Sequence, residues 1–108
     1  MSALAGQRIV LTGAAQGLGR AVATALAAEG ARLVLMDRDA AGLATLALPG
    51  EHQTLAVDLA DGEATMAAIA EARLDADPAT TLIHNAAVLT PKPFAAMDLA
   101  EWRRTVEV

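Results

Sequence analysis

Three glycines in the stretch Thr12-Gly13-Ala14-Ala15-Gln16-Gly17-Leu18-Gly19 follow a short β-branched run, Arg8–Thr12. Between a strand and a helix, such glycines form a tight turn. The turn delivers backbone N–H groups, and the positive end of the helix dipole, to a pyrophosphate. Gly13 allows the turn, Gly17 lets phosphates approach the backbone, and Gly19 lets the helix pack against the strand. An ordinary glycine-rich turn is the plain alternative, because glycine clusters are common in turns. The next β-branched run, Arg32–Asp37, ends in an acid. Its place suits a ribose-binding carboxylate, expected about 20 residues beyond such a fingerprint. A carboxylate there accepts from both adenosine-ribose hydroxyls and repels a 2′-phosphate, which favours NAD. Arg38 complicates this, since a cation beside Asp37 suits a 2′-phosphate, and NADP is the second choice.

Two more strand ends carry polar residues: Asp58-Leu59, and His84-Asn85-Ala86-Ala87. Each is weak alone, because a strand-end Asp is common and Asn-Ala-Ala is an ordinary turn. His84 has a side chain suited to acid–base work near neutrality. At the end of a buried strand it reads instead as a satisfied packing residue. His52 has no partner pattern and reads as surface.

The elements that must position these residues alternate in texture. The β-branched runs Arg8–Thr12, Arg32–Asp37, His52–Asp58 and Thr80–His84 lack a clean two-residue alternation, as expected for strands of a parallel sheet covered on both faces. Alanine-rich segments of helical spacing separate them. The first carries Leu18, Val22, Ala25 and Leu26 as its apolar stripe and stops at Gly30. The second is capped by Asp39, carries Leu43 and Leu46, and closes at Pro49-Gly50. The third follows Asp61 with a stripe of Met66, Ile69, Ala70 and Leu74. A last helix opens at Asp98-Leu99-Ala100-Glu101, a capping box with Met97 and Trp102 as a hydrophobic staple. The order βαβαβαβα, with right-handed crossovers, predicts a parallel sheet. For this topology the expected strand order is 3-2-1-4. That leaves Thr80–His84 on an open edge with Leu82 and Ile83 near water.

Composition narrows the functions. The chain has 108 residues, the length of one small domain. Thirteen acidic residues against eight basic ones give a formal charge of −5, which argues against a nucleic-acid footprint. Only Phe94 and Trp102 are aromatic, so base-stacking platforms are excluded. The absence of cysteine removes thiolate catalysis and Cys-based metal sites, and no metal site is predicted. No apolar run approaches the roughly 20 residues that span a bilayer, and the N-terminus lacks signal-peptide texture. A cytoplasmic protein with no membrane partner is the expectation.

Taken together, the strand ends resemble the N-terminal half of the short-chain dehydrogenase/reductase family. Thr12-Gly13-x-x-x-Gly17-x-Gly19 matches its cofactor fingerprint, and Asp37 matches its NAD-selecting acid. Asp58-Leu59 matches the pair that contacts adenine, and Asn85-Ala86-Ala87 falls on the Asn-Ala-Gly segment that lines the cofactor. Glu101-Trp102 and Val106 resemble the start of the fifth helix. His84 departs from the family's usual Asn, and Ala87 from its usual Gly. The resemblance implies an α/β, Rossmann-type three-layer αβα fold with a parallel sheet, truncated after the fourth strand and the start of the fifth helix. Residues 1–108 would then be the N-terminal part of a single domain. The implied cofactor-binding residues are Gly13, Gln16, Gly17, Leu18, Gly19, Asp37, Asp58, Leu59, Asn85 and Ala86.

The implied activity is NAD(P)-dependent hydride transfer between the nicotinamide cofactor and an alcohol or carbonyl substrate, in a family that commonly forms homo-oligomers. The family's active-site Asn would follow Thr105-Val106-Glu107-Val108. Its catalytic Ser and Tyr-x-x-x-Lys lie further downstream, and this sequence has no tyrosine. The chain is therefore expected to hold the cofactor-binding half, and no catalytic residue is assigned within it. Alone it is expected to be neither a stable monomer nor a catalyst. A non-catalytic nucleotide-binding module, or an inactive fragment, is the alternative. A methyltransferase of similar layout is disfavoured, because it would carry an acid where Val10-Leu11-Thr12 stand. Only Val88–Phe94 would border a substrate pocket.

Overall fold

The computed structural model describes residues 3–86, 98–100 and 103. Its elements follow the order β1 (Arg8–Thr12), α1 (Gly17–Ala28), β2 (Arg32–Asp37), α2 (Ala40–Ala44), β3 (His52–Ala56), α3 (Gly62–Ala72) and β4 (Thr81–His84). The four strands form one parallel sheet in the order β3-β2-β1-β4, the order expected from sequence. β3 is two residues shorter than its apolar run, although the Val57 N–H still donates to the Asp37 carbonyl. β4 begins one residue later than expected.

Side chains alternate across the sheet, and apolar residues fill both faces. Ile9, Leu11, Leu33 and Leu35 face one core with Ala23 and Ala27 of α1 and Leu43 of α2. Val10, Val34, Met36 and Leu55 face the other, with Ala68 and Ala72 of α3. This is the three-layer αβα arrangement. It explains the continuous apolar strands, because a strand buried on both sides has no solvent face to make polar.

Two predicted helix stripes are corrected. In α1 the fully buried line is Gly19, Ala23 and Ala27; Val22 and Leu26 of the predicted stripe pack half-buried against the core, while Ala25 is exposed and Leu18 is 70% exposed. In α3 it is Ala68 and Ala72, with Met66 and Ile69 exposed. The smallest residues, spaced by four, let each helix backbone lie close to the sheet. The larger residues then flank that line or face water. In α2 the prediction holds: Asp39 accepts the Gly42 N–H at 2.9 Å, and Leu43 is buried.

His52 is also corrected. Its Nδ1 accepts the Leu33 N–H at 3.0 Å, and its Nε2 donates to the Pro49 carbonyl at 2.6 Å. The ring thereby joins the start of β2 to the loop before β3. A second clasp lies at the same end of the sheet, where Arg32 pairs with Asp77 at 2.6 Å and Arg8 donates to the carbonyls of Ala72 and Asp77. Met97, Glu101 and Trp102 of the predicted capping box and staple lie outside the described residues, as do Ala87, Val88–Phe94 and 104–108. Asp98, Leu99 and Ala100 are exposed.

Candidate functional site

The carboxyl ends of all four strands converge on the turn between β1 and α1. The N–H groups of Gly13 and Ala14 donate to the Met36 carbonyl at 2.8 and 3.3 Å, which ties the turn to β2. Gly13 has φ +70°, and a β-carbon there would lie 2.9 Å from backbone atoms of Asn85 and Ala86. Gly19 is closer still: a side chain would overlap the Gly13 carbonyl oxygen. The two glycines therefore bring three backbones together, from β1, α1 and the end of β4.

Gly17 is different. It has φ +61°, yet a β-carbon would meet nothing within 4 Å. Its glycine serves the backbone conformation, and the space beside it is open. At this point α1 begins without a side-chain cap and without an acid in its first turn. In contrast, Asp39 and Asp61 cap α2 and α3. Among the described residues no side chain caps the N-terminal N–H groups of α1, and the helix dipole there favours an anionic acceptor.

Thr12 joins β1 to β4. Its Oγ1 accepts the N–H groups of Asn85 at 3.0 Å and Ala86 at 3.1 Å, and lies 2.8 Å from His84 Nδ1. A hydroxyl has two acceptor sites and one proton. Both acceptor sites are filled, so the hydroxyl proton is left for the contact with His84 Nδ1. His84 is hydrogen-bonded, as predicted, but exposed instead of buried. Asn85 also donates through Nδ2 to the Gly13 carbonyl at 3.3 Å.

Asp37, half-buried at the end of β2, accepts the Ala15 N–H on Oδ2 at 3.0 Å and the Asp39 N–H on Oδ1 at 2.9 Å. Each oxygen keeps another lone pair for a ligand hydroxyl. Asp58 is exposed, and its Oδ1 accepts the Ala60 N–H at 3.0 Å.

A cleft of about 240 Å³ brings these groups together, lined by Gly13, Gln16, Met36, Asp37, Arg38, Val57, Asp58, Leu59, Asn85 and Ala86. Seven of the ten residues singled out from sequence line it. Gly17, Leu18 and Gly19 stand at the adjoining start of α1, and the Leu18 side chain points into solvent. Sequence reasoning missed Met36 and Val57. Both were read as strand apolar residues, and that apolar run was their only signal. An open, uncapped helix start beside two carboxylates fits a dinucleotide: the N–H groups suit its phosphates and the carboxylates its hydroxyl and amino donors. Among the described residues no His/Asp/Glu cluster could hold a metal ion, and no helix is long and apolar enough to cross a membrane.

Comparison with known proteins agrees with this geometry. The family model described as short chain dehydrogenase matches residues 7–108. A D-erythrulose reductase of Gallus gallus is 41% identical over 105 residues, covering 95% of this chain and 41% of that protein. A metagenomic short-chain oxidoreductase solved with NADP superposes with a TM-score of 0.83 at 37% identity, covering 98% of this chain and 51% of that one. An L-sorbose reductase from Gluconobacter frateurii, solved with NADPH and L-sorbose, gives 0.81 at 27% identity, covering 93% of this chain and 40% of that one. The chain thus spans about two-fifths to one-half of the length of these proteins.

Proposed function

The chain belongs to the short chain dehydrogenase family, and from that premise we propose that it forms the NAD-binding half of an alcohol- or carbonyl-converting oxidoreductase. The observation that carries this reading is the uncapped start of α1 opening beside Asp37 and Asp58 in one cleft. In the proposal, the backbone of Gly13, Gln16, Gly17, Leu18 and Gly19 holds the pyrophosphate. Asp37 accepts from the adenosine-ribose hydroxyls, and Asp58 with Leu59 holds the adenine. Asn85 and Ala86, fixed by Thr12, border the nicotinamide side. The bound cofactor supplies the hydride chemistry, and the protein supplies orientation and electrostatics. Within these 108 residues the proposal assigns no catalytic acid or base. The names of the D-erythrulose and L-sorbose reductases support a ketose, or the corresponding alcohol, as the substrate of the whole protein.

NADP is a second reading, and two observations favour it. Arg38 lines the cleft, and no hydrogen bond or ion pair engages its side chain among the described residues. Three of the solved relatives carry NADP or NADPH. The Asp37 carboxylate weighs the other way, because a 2′-phosphate would approach its negative charge. Calorimetry with both cofactors decides between them. NAD is expected to bind more tightly. Asp37→Ala should narrow the gap by about 1.5–3 kcal/mol, the size of a charge-assisted hydrogen bond. Tighter NADP binding by the unmodified protein overturns the NAD assignment. Turnover of a ketose with the reduced cofactor by the whole protein separates the enzyme from a binding module.

A further inference from the structure

Ala15 is gripped through both peptide groups that flank it. Its N–H donates to Asp37, and its carbonyl accepts from Arg20 Nη1 at 3.1 Å. The same guanidinium reaches the far end of α2, donating to Thr45 Oγ1 at 2.9 Å and to the Thr45 carbonyl at 3.2 Å. Thr45 Oγ1 in turn donates to the Gly42 carbonyl at 2.7 Å. Gly42 lets α2 lie against the turn, since a β-carbon there would come within 2.9 Å of the Ala15 β-carbon. Ala15 itself is only 2% exposed. A five-residue helix with one cationic strut thus braces the turn from behind.

The brace has a directional consequence. A trans peptide is planar, so the Gln16 N–H points opposite to the Ala15 carbonyl. Arg20 holds that carbonyl on the α2 side, which turns the Gln16 N–H the other way. Gln16 lines the cleft, and its N–H makes no hydrogen bond among the described residues. We propose that Arg20 is a positioning residue: by fixing the Ala15–Gln16 peptide against α2, it aims the Gln16 N–H at the phosphates of the bound nucleotide. Arg20 does not touch the nucleotide itself. The inference rests on the dinucleotide reading of the cleft and adds a residue on its outer side.

The test compares a ligand with phosphates and one without. The Arg20→Ala protein is titrated with ADP and with adenosine by calorimetry, and the Gln16 amide is followed by NMR. ADP affinity should fall about tenfold, the scale of one lost charge-assisted hydrogen bond. Adenosine affinity should change less than about twofold, within the scatter of a neutral surface change. The ADP-induced shift of the Gln16 amide should shrink. Arg20→Lys keeps the charge but not the fork that spans both acceptors, and should recover part of the ADP affinity. Equal losses for ADP and adenosine would mean Arg20 only supports the fold, and unchanged ADP affinity would mean it supports nothing at the site. Either outcome overturns the proposal. Should Arg20→Ala not fold, Arg20→Lys and Thr45→Val carry the same comparison. Unmodified ADP affinity in both then overturns it. If the unmodified protein binds no ADP, the dinucleotide reading itself has failed, and this inference falls with it.

Discussion

β2 and β4 flank the same central strand and have opposite characters. In β2, Leu33, Val34, Leu35 and Met36 are each 3% exposed or less. In β4, Leu82 is 66% exposed and Thr81 and His84 face outward. The difference lies in the layers. β2 has α1 and α2 on one face and α3 on the other. On the α3 side of β4 the described residues leave an apolar groove of about 700 Å³, with Val10, Ile69, Leu74 and Leu82 among its lining. β4 is held by its ladder with β1, by half-buried Ile83 against the α1-side core and, at its tip, by the Thr12 hydroxyl. One side of the site therefore stands on a core packed from both faces, and the other on one packed face, through Ile83, and a polar hub.

The largest expected effect follows from that contrast. Leu35→Ala should destabilise the protein by about 2–5 kcal/mol, because a cavity opens in a site that cannot collapse. Leu82→Ala should cost only about 0.5 kcal/mol, as an exposed position does. Chemical unfolding of both variants checks the pair. Similar losses would show that β4 is packed as β2 is.

The smallest effect belongs to the clasp at the opposite end of the strands. The hydrogen bond from Arg32 holds the Asp77 carboxyl below its ordinary range, and raises the Arg32 guanidinium. A depressed carboxylate stabilises the fold above the ordinary carboxylate range, and loses that contribution as the pH falls through its lowered folded value. Both groups are solvent-exposed, so the effect is slight. Unfolding curves collected down the acid range should show Asp77→Asn losing less stability than the unmodified protein. Parallel acid profiles would mean the ion pair is idle.

Much of this was legible in sequence for a physical reason. Strand ends were readable because Thr12 and Asp37 terminate β-branched runs and Asn85 directly follows one, and topology brings such ends together. The strand order and the Asp39 cap were readable in the same way. The helix faces were readable only in part, through Val22, Leu26 and Leu74. A stripe of large apolar residues is the usual signal, whereas the backbones here approach through Gly19, Ala23, Ala27, Ala68 and Ala72. His52 and Arg20 were missed because their partners are distant in sequence: Leu33 lies 19 residues from His52, and Thr45 lies 25 from Arg20. A single-residue pattern carries no trace of such pairings.

The most direct test of the account is an NMR titration of the protein with NAD, following backbone amides. Shifts are expected at Gly13, Ala15, Gln16 and Gly17 in the turn, at Asp37 and Asp58, and at Asn85 and Ala86, with Ile69, Leu74 and Leu82 unmoved. Shifts confined to that apolar groove, or no shifts at saturating NAD, would contradict it.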